Sequence, residues 1–129
     1  MSFWIPADHK GIQLQASLDY LNAGSSPPYI KFFSGTQPAG GGAETTHVAT
    51  VVLDDPAGSV IANQIVLAVP QSGLVLVDDT VTWARVFNGD DAIWGDGACT
   101  DTAGAGPFKL ETTTLLAGGL VRLTSAVFS

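Results

Sequence analysis

The chain has 129 residues, 46% of them hydrophobic and only 13% charged, with five basic side chains against 12 acidic ones and a net charge of −7. That length suits one domain, residues 1–129, with a core of its own. The five cations (Lys10, Lys31, Arg85, Lys109, Arg122) are scattered, which argues against a nucleic-acid partner; no apolar run reaches about 18 residues, so no membrane-spanning helix is expected.

In chain order, Phe3-Trp4-Ile5-Pro6 is a short apolar arm with no secondary-structure signal around it. No basic stretch followed by an apolar one marks a signal peptide, so synthesis in a cytoplasm is expected. Asp8 suits the cap of a helix from about His9 to Asn22, with Leu14, Leu18 and Leu21 on one line and Gly24 closing it. Ser25-Ser26-Pro27-Pro28 is a linker that no helix crosses. Tyr29 to Ser34 is a predicted strand. Gly35 to Ala43, GTQPAGGGA, is a long flexible loop whose three consecutive glycines cost entropy to order and imply a mobile loop, or one that must fit closely against a partner. His47 to Leu53 is a strand, followed by a turn at Asp54-Asp55-Pro56-Ala57-Gly58. Ser59 to Val69 reads as a strand or two short strands broken near Asn63. Pro70 to Gly73 is a turn, and Leu74 to Val77 a short strand.

The richest strand signal is Val81 to Phe87, β-branched and aromatic throughout. One face carries Val81, Trp83, Arg85 and Phe87, bulky enough to anchor the core. The other carries Thr82, Ala84 and Val86, small enough for a second layer to approach. Asn88 to Asp91 turns, Ala92-Ile93-Trp94 returns, and Gly95-Asp96-Gly97 turns again. Ala98 to Pro107 is a small-residue loop. Phe108 to Glu111 and Thr113 to Leu116 are short strands, Ala117 to Gly119 is a turn, and Leu120 to Phe128 is the final strand. One short N-terminal helix followed by many short strands predicts a mainly β fold, an antiparallel β-sandwich or jelly roll.

The chemistry-bearing residues do not assemble into a known pattern. Asp90, Asp91, Asp96 and Asp101 lack the spacing of a calcium loop and read as polar turn residues. The pairs Asp54-Asp55 and Asp78-Asp79 also fall at turns. His9 and His47 have no third ligand for a metal. Cys99 is the lone cysteine, which excludes an internal disulfide and a Cys-based zinc site, and it has acidic rather than basic neighbours. No Gly-x-Ser-x-Gly elbow, P-loop or dinucleotide fingerprint is present. No enzymatic activity, cofactor or metal is expected.

The run Tyr29-Ile30-Lys31-Phe32-Phe33-Ser34-Gly35-Thr36-Gln37-Pro38 resembles a segment of small virion proteins of tailed phages and prophages. In that group an N-terminal helix leads into a strand ending in such a Ser-Gly-Thr-Gln-Pro loop. A strand like Val81 to Phe87, a hairpin matched loosely by Asn88 to Gly97, and a closing pattern like Leu115 to Ser125 follow. The likeness spans about residues 9 to 125; Asn88-Gly89-Asp90-Asp91 stands where the group has a simpler turn, and the Phe3-Trp4 arm is outside the pattern. It implies a non-enzymatic structural protein, foremost a capsid cement or decoration protein on the virion surface. It further implies contact with a major capsid protein and a homo-oligomer on the particle. Contact candidates are the arm (Phe3, Trp4, Ile5) and the loop (Thr36, Gln37, Pro38, Gly40, Gly41, Gly42), both expected to be mobile until they grip a neighbour. The alternatives are a neck, tail or fibre component, a carbohydrate-binding β-sandwich using Trp4, Trp83 or Trp94, and, last, a hydrolase.

Overall fold

A computed structural model describes residues 6–69 and 71–128. The apolar arm Phe3-Trp4-Ile5 and Pro70 lie outside the described residues. Helix α1 spans Ala7–Leu21 and begins two residues earlier than the sequence suggests, with Pro6 rather than Asp8 at its N-cap. Pro6 has φ −66° and ψ 157°, the conformation its ring favours just ahead of a first turn. Asp8 instead sits inside that turn, where the helix dipole favours an anion. Leu18 and Leu21 are buried, while Ile12 is exposed.

Among the described residues eleven strands follow: β1 Tyr29–Ser34, β2 Thr46–Val52, β3 Gly58–Ile61, β4 Gln64–Leu67, β5 Gln71–Leu74, β6 Asp79–Thr80, β7 Trp83–Phe87, β8 Ile93–Asp101, β9 Phe108–Leu110, β10 Thr114–Leu115 and β11 Leu120–Phe128. The main sheet runs in the order β2-β1-β7-β8-β9-β11-β4-β3, with β5 also on β11, and β6 pairs β10 in a separate ribbon. The fold is therefore mainly β with one helix, as expected. The sheet is mixed rather than wholly antiparallel, because β8 and β9 run parallel, with Cys99 opposite Phe108. A parallel pair ordinarily needs a long crossover. Here the segment 102–107 doubles back against its own strand, where Gly106 lies so close to the Ala98 carbonyl that a Cβ would sit 2.8 Å from it.

The sheet curls until its β2 edge reaches the chain leaving β5. Ala49 of β2 bridges Val75, the Leu76 N–H donates to the Val48 carbonyl, and β5 holds the first half of β11. Inside the curl lie Ile30, Phe32, Val48, Val51, Leu67, Val75, Val86, Phe108, Leu110, Val121 and Leu123. α1 packs on the β3–β4 hairpin. The turn after β7 fastens it further: Gly89 N–H donates to the Ala23 carbonyl, Asn88 Nδ2 to the Tyr20 carbonyl, and Trp94 Nε1 to the Ser17 carbonyl. Gly24 has φ +112°, and a Cβ on it would fall 2.6 Å from the Gly89 carbonyl carbon. It marks a close crossing of two backbones as much as the end of a helix.

Three sequence expectations change. Gln71 to Gly73 is strand, not turn, since β5 pairs β11 there; only Leu74 of Leu74 to Val77 is in a strand. Gly95-Asp96-Gly97 is likewise strand: β8 runs unbroken to Asp101, absorbing the start of the predicted loop at Ala98. Finally, the faces of β7 are reversed. Ala84 and Val86 point into the main core, whereas Trp83 and Phe87 are buried outside it.

Candidate interaction surface

That outer face of β1, β7 and β8 has a cover, and the cover is the glycine loop. Phe33 and Trp83 face each other across β1 and β7 and stack at 4.3 Å between ring centroids. The Arg85 guanidinium lies over the Trp83 ring at 5.2 Å, a favourable placement for a cation. Cross-strand register sets Arg85 opposite Asp96. Their side chains pair through Nε–Oδ1 at 2.6 Å and Nη2–Oδ2 at 3.0 Å, with only 3% and 6% of each exposed. The pair also binds the loop. Arg85 Nη2 donates to the Gly42 carbonyl at 2.7 Å, and Gly41 N–H donates to Asp96 Oδ2 at 3.0 Å. Farther along, Trp83 Nε1 donates to Thr45 Oγ1, and Lys31 meets Glu44 at 3.7 Å.

A buried ion pair is worth keeping only when both partners are fully hydrogen-bonded. Here Arg85 Nε and Nη2 and both carboxylate oxygens of Asp96 are hydrogen-bonded, and no buried side-chain nitrogen or oxygen among the described residues lacks a partner. The Arg85 guanidinium holds the Asp96 carboxyl below the usual carboxylate range, and Asp96 in turn raises Arg85 above its ordinary value. The loop therefore does not lack local contacts, contrary to the sequence expectation: Gly41 and Gly42 are bound to the domain's own side chains. Glycine is needed at 41 for φ +76°, and a Cβ at Gly42 would fall 2.8 Å from the Ala39 carbonyl oxygen. Thr36, Gln37, Gly40 and Gly41 remain exposed on the loop, while Pro38 and Gly42 are half-buried.

A second surface lies at the same end of the curl. Ser34 Oγ donates to Asp79 Oδ2, and Ala117 N–H donates to Asp78 Oδ1. This brings the start of the loop, the segment after β5 and the turn before β11 together. Leu74, Leu76, Leu116 and Leu120 stand out from that end, each between 51% and 68% exposed. Single exposed leucines are ordinary; here four stand out from one end of the curl. Sequence reading missed it. The available signal was the surplus of leucines at 74 and 76 and at 115, 116 and 120, more than the inward face of short strands can use.

The other sequence candidates disperse. Asp91 accepts from the Tyr29 hydroxyl at 2.7 Å, and Asp101 caps its own turn through Ala103 and Gly104 N–H. Partial burial first, and then Asp91, push the Tyr29 phenol up to about 12. His9 is exposed; His47 is half-buried beside the Ala49 carbonyl and Thr50 Oγ1, and burial lowers its pKa. Burial pushes the Cys99 thiol up to about 12, so it is not an activated nucleophile. Among the described residues no group of three His, Cys, Asp or Glu side chains is placed to hold a metal ion. Trp83 has no open face for a sugar, and Trp94 packs edge-on against Phe128 with its N–H bonded to the helix. The chain matches no protein-family model, no curated protein and no solved structure.

Proposed function

We propose that this chain is a non-enzymatic structural protein of a phage particle, a cement or decoration protein that docks on the major capsid protein and stabilises the shell by protein–protein contact. The observation that carries the proposal is the loop from Gly35 to Thr45: an exposed tip held in one shape by a buried ion pair beneath it. Preorganising a binding loop removes the entropy that docking would otherwise lose. The likeness of Tyr29 to Pro38 to tailed-phage virion proteins names the setting. The exposed leucines and low charge content add surface that is easily dehydrated. Within this reading the curled sheet is a variant of the β-sandwich or jelly roll. Many copies on one shell make weak individual contacts sufficient.

The test is occupancy on purified shells. Wild-type protein should bind and resist a moderate salt wash, because few ion pairs hold it. Gln37→Ala combined with Pro38→Ala should lower occupancy at unchanged melting temperature. Deletion of Ser2 to Ile5 should do the same if the arm also grips the shell. Normal occupancy of both variants, or release of wild type by moderate salt alone, would overturn the reading.

A further inference from the structure

His47 sits where the glycine loop returns to the sheet. It pairs with Phe33 across β1 and β2, and the two rings lie 5.7 Å apart between centroids. Phe33 in turn stacks on Trp83. Two residues before His47, Thr45 ends the loop: its Oγ1 donates to the Ser34 carbonyl and accepts from Trp83 Nε1. The imidazole and the last anchor of the loop therefore rest on one stacked pair of rings. The ladder slips at the same place. Phe32 pairs with Ala49 but Phe33 with His47, so one residue of β2 is left unopposed, which bends a strand. Beyond the slip only His47 and Thr46 pair with β1 before the loop begins.

The partners of the ring fix its tautomer. Nε2 lies 3.1 Å from the Ala49 carbonyl, which can only accept, and 2.8 Å from Thr50 Oγ1. The neutral ring thus carries its hydrogen on Nε2, and a second proton goes to Nδ1. Both hydrogen bonds that the ring makes among the described residues use Nε2. The surrounding charges are engaged elsewhere. Lys31 on β1 is a cation, met by Glu44 of the loop at 3.7 Å. Arg85 on β7 is held by Asp96 on β8. The chain leaving β5, on the other edge of β2, carries Asp78 and Asp79. Their carboxylates are bound to the Ala117 N–H, the Ser34 hydroxyl and the Thr80 N–H. Burial foremost lowers the imidazole pKa; the bond to the Ala49 carbonyl opposes this, Lys31 adds to it and Glu44 opposes it again.

We propose that His47 is an acid-sensitive latch on the loop, and that a proton on its Nδ1 lifts residues 41–45 off the Trp83 and Arg85 side chains. The consequence for docking rests on the shell contact proposed above. With the loop closed, the ring binds a proton less readily than an ordinary imidazole; with the loop lifted, water solvates it. Closure is therefore complete above the ordinary value near ~6.5 and weakens as the pH falls below it.

Amide hydrogen exchange of the full chain, followed by NMR from about pH 7.5 to about pH 5.5, spans the histidine range. The Gly41 amide, bonded to Asp96, should lose protection beyond the change in intrinsic exchange rate, while the amides of β7 keep theirs. His47→Gln retains a donor for the Ala49 carbonyl and cannot titrate, so its Gly41 protection should stay level. His9→Gln, on the exposed side of the helix, should behave as wild type. In the wild-type protein the His47 ring itself should titrate below ~6.5. Constant Gly41 protection in wild type, an equal loss in His47→Gln, or a His47 ring that titrates at or above the ordinary value would overturn the latch. Shell occupancy should fall over the same range in wild type but not in His47→Gln. Absence of shell binding at both ends of the range defeats the shell contact, whereas exchange at Gly41 decides the latch.

Discussion

Asp96→Ala tests the ion pair beneath the loop. The substitution leaves Arg85, whose side chain is 3% exposed, with a buried charge and no counter-ion. Losing one partner of a buried pair costs about 3–5 kcal/mol. This pair lies under a loop rather than at the centre of the curl, which favours the lower end, about 3 kcal/mol. The whole domain holds only about 5–15 kcal/mol, and a change of this size lowers the melting temperature by roughly 10 °C. Glu111→Ala supplies the control. Its pair with Arg122 is more than half exposed at both ends, and such pairs contribute below about 1 kcal/mol. Combining Arg85→Met with Asp96→Leu should recover most of the loss, since apolar replacement of a buried pair is often neutral. Hydrogen exchange then separates stability from anchoring: the Gly41 amide, which donates to Asp96, should lose protection in both the single and the double variant. The pH dependence follows the same pair. The Asp96 pKa is lowered in the folded state, so its contribution is complete above the unfolded value near ~3.9 and disappears as pH falls through the folded value. Thermal melting followed by circular dichroism measures all of this. If Asp96→Ala melts no lower than Glu111→Ala, the ion pair does not support the fold and the reasoning fails.

Trp83→Ala should cost about 3–5 kcal/mol and lower the melting temperature at least as far as Asp96→Ala, because the ring is fully buried against Phe33; an unchanged melt would place the ring outside any core. Gly89→Ala should be strongly destabilising, since a Cβ there would collide with the Ser26 carbonyl; melting of this variant beside Gly40→Ala, where nothing lies within 4 Å, shows whether the crossing is as close as described. Cys99 should react with a disulfide reagent at neutral pH only at the rate of unfolding, because the thiol is buried. Its raised pKa also makes stability fall as pH climbs above the unfolded value of 9.0 toward about 12; Cys99→Ala should flatten that alkaline decline, and an equal decline in both proteins would assign it to other groups.

Sequence patterning located elements more reliably than it located faces. Tyr29 to Ser34 and Leu120 to Phe128 are strands at the boundaries their patterning marks, and the break near Asn63 is a turn between β3 and β4, with Ala62 and Asn63 both at positive φ. Leu18 and Leu21 belong to the buried side of the helix because a 3.6-residue period survives in short sequence. What failed was the inference from bulk to core. All five residues of β7 are buried, so neither face carries the polar alternation that would identify the outside. The covering layer is a loop of glycines, alanine, threonine and proline, a composition that normally signals exposure. Its anchor consists of Arg85 and Asp96, more than forty residues further along, and a pairing at that separation leaves no local trace. Gly95-Asp96-Gly97 misled for a related reason. Glycine flanking an acid reads as a turn, yet at Gly97 a side chain would meet the Phe108 ring at 2.8 Å, so glycine is there to let β9 lie close. In both places small residues serve close packing between layers rather than flexibility. The charged pair between those layers turns a segment with little cohesion of its own into a fixed surface on which Thr36 and Gln37 can be presented.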